Sequence, residues 1–454
     1  MNKLTTKEIA NALGTTADND VEISCICIDT RKVKKGSLFV CIKGENFDGN
    51  IFADKAVELG ASAVLCNDYA QCSANAIRVK DTRKAFLDLS SYYRQKFDIP
   101  VVALTGSVGK TTTKEMTALV LSAKYNTMKT QGNFNNEIGL PQTLFTLDDT
   151  VEAAVIEMGM SHFGEISVLS KATKANVGLI TNIGVSHIEN LGSQEGIFKA
   201  KMEILDGLTE TAPLIVNGDD KFLSAVKSME LGKHKVFTFG LGNCDFTAKN
   251  IVQTESETTF EIEFFDKKQN VKIPTIGIHN VYDALAGFAV GFILGVDSEK
   301  SAEMLSTYAP AGMRQKVNKL GDVTFIEDCY NASPDSMKAI ISALISMNGK
   351  SKILVLADML ELGKISEKAH YNIGSLAAEY KVDLLLAYGE MGKYYISGAK
   401  ENGMKNAYHF ETKVDLTEFL FNNINIGDVV AFKASRGMKM EEVIHSIYDR
   451  WENK

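Results

Sequence analysis

A glycine-rich loop between an apolar run and a helical pattern is the part of this sequence best suited to chemistry. The apolar run Val101–Thr105 predicts a buried strand, and apolar residues recurring every three or four positions from Met116 to Ala123 predict a helix. Glycines in such a loop let the backbone approach an anion, and the free amides at the helix N-terminus point at it. The stretch therefore predicts a phosphate-binding loop.

The residue types within this loop favour a nucleoside triphosphate. We expect Lys110 to reach the β- and γ-phosphates and the Thr111 hydroxyl to contact Mg²⁺. The motif is shorter than the usual phosphate loop because Leu104 stands where its first glycine is expected. A plain strand–turn–helix junction is the alternative, but the flanking patterns favour the nucleotide. The predicted nucleotide contacts are Gly106, Ser107, Val108, Gly109, Lys110, Thr111 and Thr112.

Candidate metal ligands follow two further predicted strands. Glu157 ends the apolar run Ala153–Glu157, and His187 lies in the loop beyond Val177–Gly184. In parallel sheets, ligands gather at the carboxyl ends of the strands, so both side chains are candidates for the Mg²⁺ site. Imidazole is unusual on magnesium, and a structural role is the alternative for His187. The lysine-rich helix Phe198–Leu205 that follows has the pattern of a solvated face.

Asparagines mark two other places. Asn133, Asn135 and Asn136 lie within a short glycine-flanked stretch, where their amides would donate to a carboxylate or phosphate. An Asx turn is the alternative. Asn280 stands at the start of an apolar helix, and we expect it to cap that helix; a hydrogen bond to an adenine edge is the alternative.

In the first segment, polar residues follow short predicted strands. Asp29-Thr30-Arg31 comes after the alternating run Ile23–Ile28, and a glycine loop lies at Lys43–Asn50. These residues would suit a phosphorylated or uridine-like ligand, and a solvated turn explains them equally well.

The composition describes a globular protein of about three domains. The 454 residues are 45% hydrophobic, and Lys+Arg 49 against Asp+Glu 57 gives a net charge of −8, which argues against a nucleic-acid partner. Seven cysteines without a C-x-x-C pair predict buried thiols in a reducing compartment. The N-terminal residues lack a signal-peptide core, and the apolar run Leu285–Val296 is too short to span a bilayer. We expect a cytoplasmic protein without membrane insertion.

The third segment begins near Gly312–Gln315 and alternates strands with helices. Its predicted strands include Val323–Glu327, Ile353–Ala357, Leu384–Tyr388 and Val429–Lys433. This alternation predicts a doubly wound parallel sheet and an α/β fold.

Taken in order, these pieces resemble the Mur ligases, ATP-dependent amide-forming enzymes of peptidoglycan precursor synthesis. The resemblance covers the whole chain, and the shared features are the Thr105–Thr112 loop, Glu157, Asn182–His187 and Arg314. Four stretches resemble the member that adds D-alanyl-D-alanine to UDP-N-acetylmuramoyl-tripeptide: Gly132–Pro141, Asp328–Met337, Asp358–Gly363 and Lys433–Met440.

The resemblance implies three domains and a reaction. It implies a small α/β UDP-binding domain at 1–82, a central ATP-binding P-loop domain with a mainly parallel sheet at 83–311, and a Rossmann-like doubly wound domain at 312–454. The tripeptide carboxylate would attack ATP to give an acyl phosphate and ADP, and the amine of D-alanyl-D-alanine would then displace phosphate. We expect a monomer that closes around this intermediate.

The resemblance also assigns roles to residues. Lys201 matches a lysine that the family carbamylates, with Lys199 as the neighbour most easily confused with it. Thr111 and Glu157 would hold one Mg²⁺, and His187 with carbamylated Lys201 a second. The implied catalytic residues are Lys110, Arg314, Lys201 and His187; Arg314 and Asp328 would reach the ATP, and Asn280 and Asp283 the adenine. The implied substrate contacts are Asp29, Thr30, Arg31, Gly44, Asp48, Gly49, Asn50, Asn133, Asn135, Asn136, Tyr330 and Asn331, including the loop Gly44–Phe52.

Two residues depart from the family pattern. Asn50 stands where the family commonly has histidine, and Asp283 stands where it often has a second asparagine. An ionised aspartate cannot donate a hydrogen bond, so an adenine contact at Asp283 is in question.

Two other functions compete with the Mur ligase interpretation. One is a folylpolyglutamate synthetase-like ligase, which lacks a UDP-binding domain. The other is a nucleotide-dependent switch or transport ATPase, for which no partner surface is evident.

Overall fold

The protein is described by a computed structural model that covers residues 1–44, 47–73, 75–310, 312 and 314–452. Five parts of the predictions therefore lie outside the described residues: Glu45 and Asn46 of the predicted UDP loop, Ala74 of the predicted first domain, Ala311 at the second domain boundary, Met313 beside Arg314, and residues 453–454 of the predicted third domain. Within these limits the chain forms three main sheets, one after another along the sequence.

The first sheet has four parallel strands in sequence order, and a small antiparallel pair lies beside it. The strands of this part are Leu4–Thr5, Glu22–Ile23, Cys25–Cys27, Ser37–Val40, Ala61–Asn67 and Ala76–Val79. Its helices are Thr6–Ala12, Ala53–Glu58 and Thr82–Arg94, with 3₁₀ turns at Thr30–Lys32 and Gly49–Phe52.

The central sheet has nine strands and carries the predicted phosphate loop. In spatial order they are Lys267–Ile273, Thr258–Phe264, Phe246–Gln253, Val236–Gly240, Leu214–Asn217, Val177–Ile180, Val101–Thr105, Ala153–Glu157 and Thr127–Lys129. The helices are Lys110–Ser122, Gly139–Leu144, Glu165–Thr173, Ile188–Leu191, Gln194–Met202, Ile278–Ile293 and Ser298–Leu305, with 3₁₀ turns at Glu203–Gly207 and Leu223–Ser228. The pairs that join Phe246–Gln253, Thr258–Phe264 and Lys267–Ile273 are antiparallel, an extension that the sequence analysis did not predict.

The third sheet has six strands, parallel except at one edge. In spatial order they are Lys316–Leu320, Val323–Asp328, Val429–Lys433, Lys352–Ala357, Leu384–Tyr388 and Ala407–Phe410, of which the first pairs antiparallel. The helices are Pro334–Ser346, Ser366–Glu379, Gly392–Glu401, Lys413–Asn423 and Glu441–Glu452, with 3₁₀ turns at Gly363–Ile365 and Arg436–Met438. The predicted alternation of strands and helices is confirmed here.

The apolar cores join the first and central sheets to each other more extensively than to the third sheet. One continuous cluster joins residues of the first sheet, such as Leu38 and Leu65, to residues of the central sheet, such as Val101 and Ile156. Two further clusters cover the faces of the third sheet, and one of them also includes Ile276 of the central part. The first and central parts are thus joined by buried apolar contact.

The expectation of buried thiols is modified. All seven cysteines are free, but Cys25, Cys27, Cys72 and Cys244 are only partly buried; for Cys25 and Cys27 the reason is their place in a short edge strand. No described helix combines the length and apolarity needed to cross a membrane.

Candidate active site

A cavity of about 570 Å³ lies between the central sheet and the third sheet. It is lined by the phosphate loop, by strand ends of the central sheet and by the loop that follows Val323–Asp328. The predicted site residues that line it are Ser107, Val108, Gly109, Lys110, Thr111, Thr112, Asn133, Asn135, Asn136, Glu157, His187, Asn280, Asp283, Arg314, Asp328, Tyr330 and Asn331. Residues from distant parts of the sequence therefore share one site.

Neighbouring side chains fix the backbone of the phosphate loop. A Cβ on Gly106 would lie 1.8 Å from the Thr181 hydroxyl, so only glycine fits there. The Asn182 side chain accepts from the Val108 amide and donates to the Val108 carbonyl, both at 2.9 Å. Gly109 has φ 82° and leads into the helix Lys110–Ser122. This arrangement presents the helix N-terminus to the cavity, as an anion site requires.

The Lys110 side chain folds back over this loop. Its Nζ donates to the Gly106 carbonyl at 2.8 Å and has no carboxylate within ion-pair distance among the described residues. Burial lowers the pKa of Lys110, Glu157 raises it, and the positive charge of Arg314 lowers it further. The ammonium is therefore free to turn toward an incoming phosphate.

The buried carboxylate of Glu157 joins the loop to the asparagine-rich stretch. Thr111 Oγ1 donates to Glu157 Oε2 at 3.1 Å, and Asn135 Nδ2 donates to Oε1 at 2.8 Å. Lys114 Nζ lies 3.7 Å from the same carboxylate and is itself buried. A hydroxyl and a carboxylate side by side at the end of a strand are oxygen ligands of the kind that Mg²⁺ prefers.

Of the two lysines in the predicted lysine-rich helix, only one is buried. Lys201 is buried and Lys199 is exposed, so the pattern does not describe a fully solvated face. Burial and the nearby charge of Lys110 lower the pKa of Lys201 well below its ordinary value. Lys201 does not line the cavity itself, but its charge also lowers the pKa of His187.

His187 lies where the central and third parts of the chain meet. Its Nδ1 is 2.9 Å from the Glu361 carboxylate, and the residue has φ 62°. Burial is the main cause that lowers the pKa of its ring. Among the described residues no cluster of three His, Cys, Asp or Glu side chains could hold a metal ion. The oxygen donors of Thr111 and Glu157 fit Mg²⁺.

Asn280 does not cap its helix, contrary to the sequence expectation. The N-cap of Ile278–Ile293 is Gly277, with φ 96°, because the chain enters the helix in a conformation that favours glycine. The Asn280 amide instead donates to the Ile276 carbonyl at 2.7 Å and to Gln315 Oε1 at 2.8 Å. His279 Nε2 also lies 2.7 Å from Gln315 Oε1, so these residues form one polar cluster at the cavity wall.

Asp283 is a buried carboxylate beneath the phosphate loop. Its Oδ1 accepts from Thr113 Oγ1 at 2.6 Å and would lie 2.7 Å from a Cβ on Gly109. Burial raises the pKa of Asp283 to about 7, against the hydrogen bond from Thr113 and the charge of Arg314. Near neutral pH, a large share of Asp283 is therefore protonated and able to donate a hydrogen bond.

The third sheet supplies the opposite wall. The Arg314 guanidinium stacks 4.0 Å from the centre of the Tyr330 ring, and both line the cavity. Lys433 Nζ donates to Asp328 Oδ2 at 2.9 Å and to the Asn331 carbonyl at 2.7 Å, which holds this loop in place. Positive charge thus faces the phosphate loop across the cavity.

Of the three asparagines in the glycine-flanked stretch, one forms the Asx-type contact and the other two lie at the cavity. Asn136 Oδ1 accepts from the Gly139 amide at 2.8 Å at the start of the helix Gly139–Leu144, the Asx-type role. Asn133 is exposed at the cavity, and Asn135 binds Glu157.

The predicted UDP residues of the first sheet do not line this cavity. Asp29 caps the 3₁₀ turn that holds Thr30, and Arg31 pairs with Asp29 at 2.7 Å and lowers its pKa to about 2. Asn50 is buried; its amide donates to Asp48 Oδ1 at 2.6 Å and to Asn67 Oδ1 at 2.9 Å.

Two glycines complete this region. Gly44 donates from its amide to the Phe47 carbonyl at 2.8 Å, and a Cβ on Gly49 would lie 2.5 Å from the Ile42 carbonyl. Asn50, which stands where the family commonly has histidine, forms its hydrogen bonds within the first part of the chain.

Comparison with known proteins identifies the family. Three family models match the chain: "Mur ligase family, catalytic domain" over residues 22–94, "Mur ligase middle domain" over 104–291, and "Mur ligase, glutamate ligase domain" over 313–436. A relative from Bacillus subtilis (strain 168), named UDP-N-acetylmuramoyl-tripeptide--D-alanyl-D-alanine ligase, is 40% identical and covers 99% of both chains. The chain belongs to the Mur ligase family.

Solved structures of Mur ligases agree with this membership. A crystal structure of MurF from Acinetobacter baumannii superposes with a TM-score of 0.93 at 32% identity, covering 99% of both chains. A MurF ligase from Thermotoga maritima in complex with ADP superposes with a TM-score of 0.85 at 28% identity, covering 94% of this chain and 98% of that one. The resemblance and the α/β fold class predicted from the sequence are confirmed.

Several residues of the Mur ligase site were missed in the sequence analysis. His279, Gln315, Asp335, Glu361 and Lys433 line the cavity, and Lys114 contacts the cavity residue Glu157. Lys114 had a local signal, because it lies one helical turn after Lys110 and so faces the same side. His279 and Gln315 adjoin predicted residues, but no spacing indicates that their side chains meet.

We predict that Asp283→Asn stabilises the protein at alkaline pH. The pKa of about 7 in the folded state lies above the ordinary unfolded value, so ionisation costs stability progressively between about pH 4 and pH 7 and by a constant amount above that. Asparagine carries no charge, and its Oδ1 still accepts from Thr113. Denaturant unfolding at pH 8.5 is expected to show a gain of about 2–4 kcal/mol, shrinking toward pH 5.

The exposed Asp266 supplies the control for this measurement. Asp266→Asn is expected to leave the unfolding free energy nearly unchanged at both pH values, because its side chain is solvated. A gain for Asp283→Asn that is equal at pH 5 and pH 8.5 would show that the buried charge is not the cause.

Proposed function

We propose that this chain is an ATP-dependent ligase that joins D-alanyl-D-alanine to UDP-N-acetylmuramoyl-tripeptide, producing ADP, phosphate and the UDP-muramoyl-pentapeptide of peptidoglycan synthesis. One observation carries the proposal: Lys110 of the phosphate loop and Arg314 of the third part line the same cavity. Membership of the Mur ligase family and the names of the relatives described above agree with it.

The reaction needs an activated acid, because a carboxylate does not react with an amine at a useful rate. The terminal carboxylate oxygen of the tripeptide attacks the γ-phosphorus of ATP, the bond to the bridging oxygen breaks, and ADP leaves. The amine of D-alanyl-D-alanine then attacks the acyl carbon, loses a proton, and phosphate departs with the electron pair of the carbon–oxygen bond. The chain must hold both reactants in line and shield the acyl phosphate from water.

Positive charge on both walls of the cavity suits the first step. The phosphate-loop amides and Lys110 would hold the β- and γ-phosphates, and Arg314 would neutralise charge on the transferred group. The stacking of Arg314 on Tyr330 keeps the guanidinium plane fixed at the cavity wall. Asn280 and Asp283, which also line the cavity, would border the adenine. Asp328 would adjoin the ribose or the phosphates.

Two Mg²⁺ ions are part of the proposal. When bound, they would neutralise phosphate charge and polarise the transferred group. Thr111 and Glu157 would hold one; their separation of 3.1 Å brings both oxygens to one point. His187 and carbamylated Lys201 would hold the other.

The environment of Lys201 supports carbamylation. Only a neutral amine attacks CO₂: the nitrogen–carbon bond forms, the nitrogen loses a proton, and an anionic carbamate results. Burial and the charge of Lys110 favour the neutral amine of Lys201. The carbamate would replace a buried amine with an anion near Lys110 and His187, and its oxygens suit a hard ion.

The first part of the chain would bind the UDP moiety, and the third part the dipeptide. We assign the UDP to the region of Asp29, Thr30, Arg31, Gly44, Asp48 and Gly49, and we place Asn50 behind it as support, since its amide is buried. Tyr330 and Asn331, with the exposed Asn133, would contact the peptide substrates at the cavity. We also propose that the protein acts as a monomer, with domains at 1–82, 83–311 and 312–454.

The experiment that tests the proposal is a phosphate-release assay. ATP, Mg²⁺ and a panel of UDP-muramoyl peptides are supplied with D-alanyl-D-alanine present or omitted. We expect phosphate release to require both the UDP-muramoyl-tripeptide and the dipeptide, with the pentapeptide product seen by mass spectrometry. Sustained ATP hydrolysis that ignores the dipeptide would instead indicate a switch ATPase, and turnover of folate substrates would indicate the other ligase.

We predict that Lys110→Ala lowers turnover by roughly two to three orders of magnitude, because the charge that stabilises the transferred phosphate is lost. Binding of the UDP substrate, measured by calorimetry without ATP, is expected to survive, since no predicted UDP residue contacts Lys110. Lys124→Ala, at an exposed position two residues beyond the end of the same helix, serves as the control. Near-wild-type turnover for Lys110→Ala would remove the phosphate-loop assignment.

We predict that Lys201→Ala loses most activity and that added acetate restores part of it, because a small carboxylate can occupy the space of the carbamate. Lys199→Ala is the matched control, two residues away and exposed. Its activity should be close to wild type and unaffected by acetate. Rescue of Lys199→Ala but not of Lys201→Ala would move the assignment to Lys199.

A further inference from the structure

The contact between His187 and Glu361 crosses from the central part of the chain to the third part. His187 follows the central strand Val177–Ile180, and Glu361 follows the strand Lys352–Ala357 of the third sheet. The imidazole Nδ1 lies 2.9 Å from the Glu361 carboxylate. The two loops also meet two residues further along each chain segment, where a Cβ on Gly363 would lie 3.0 Å from the Glu189 side chain.

The backbone on both sides of this contact is held in an unusual conformation. His187 has φ 62° and Glu361 has φ 63°, the left-handed region that costs a non-glycine residue on the order of 1 kcal/mol. Glu361 has a largely exposed side chain, so the ion pair itself adds little stability. A costly backbone around a weakly stabilising pair points to a role other than stability.

The contact orients the His187 ring. The Glu361 carboxylate lies beside Nδ1, which leaves Nε2 on the opposite edge of the ring. Nε2 of His187 makes no hydrogen bond within the described part of the chain. Histidines that bind metals are commonly oriented in this way by a carboxylate on the other ring nitrogen.

The loop that carries His187 is also held at its other end by the third part. Asp335, at the start of the helix Pro334–Ser346, accepts a hydrogen bond from the Val185 backbone. A Cβ on Gly184 would lie 2.4 Å from the Asp335 carboxylate, so the two are in close contact. The position of the third part therefore determines where His187 points.

We propose that Glu361 is a positioning residue that orients His187 toward a divalent cation and so makes cation binding depend on docking of the third part of the chain. The proposal rests on the proposed function for His187 as a cation ligand. The third part would then contribute to the cation site without contacting the cation, because Glu361 holds the His187 ring on its Nδ1 edge.

The test measures cation binding directly. Mn²⁺ is titrated into the full chain with a non-hydrolysable ATP analogue, and free Mn²⁺ is followed by electron paramagnetic resonance. Glu361→Ala is expected to weaken the binding of one ion by roughly 10- to 100-fold, the usual effect of losing such a carboxylate. Glu361→Gln keeps an oxygen beside Nδ1 and is expected to retain most of the affinity.

Two controls separate positioning from structural effects. Glu367→Ala removes an exposed carboxylate six residues away, near Tyr394, and should leave Mn²⁺ affinity unchanged. In a double-mutant cycle, Glu361→Ala should have no further effect once His187 is replaced by alanine. Thermal unfolding should change little for Glu361→Ala because of its exposure.

The outcomes distinguish this inference from the proposed function. Wild-type ligase activity with unchanged Mn²⁺ affinity in Glu361→Ala would overturn the inference and leave the ligase assignment standing. An equal loss of affinity for Glu361→Ala in the His187→Ala background would also overturn it. Absence of ligase activity in the wild type would refute the proposed function, whatever the Mn²⁺ titration gives.

Discussion

Uncompensated positive charge is the constraint on which the site depends. The charge of Lys110 lowers the pKa of Lys201, and neither lysine has a carboxylate within ion-pair distance among the described residues. Arg314 adds a third positive charge that acts on Lys110 from the third part of the chain. Removing charge from water without a partner is costly. The fold maintains this imbalance, which a polyphosphate and a carbamate would relieve.

The surrounding structure keeps nearby acids from cancelling that charge. Glu157 is occupied by Thr111, Asn135 and the buried Lys114, and Asp283 is largely neutral near pH 7 because it is buried. An ionised aspartate beneath the phosphate loop would repel a triphosphate, whereas a protonated one resembles the asparagine that is common at this place in the family. The departure at Asp283 is therefore compatible with nucleotide binding.

The sequence predicted those features that depend on neighbours along the chain. The phosphate loop, the strand that ends at Glu157 and the strands of the third sheet follow from local patterns, and family motifs indicated Lys201. Features that depend on distant contacts were not predictable. The pairing of His187 with Glu361 joins loops that are far apart in sequence, and the burial of Asn50 depends on Asn67. Asn280 was misassigned as a cap because Gly277 takes that position with a positive φ.

The continuous apolar core between the first and central sheets has a mechanical consequence. Separating those two parts would expose buried hydrocarbon to water, a cost that grows with area. The third part meets the central part through polar pairs, such as Glu255 with Asn348 and His187 with Glu361, and through the apolar side chains of Ile276 and Val185. Separating the third part would expose polar groups that water can hydrate, so those contacts oppose its displacement less than the apolar core opposes separation of the first and central parts.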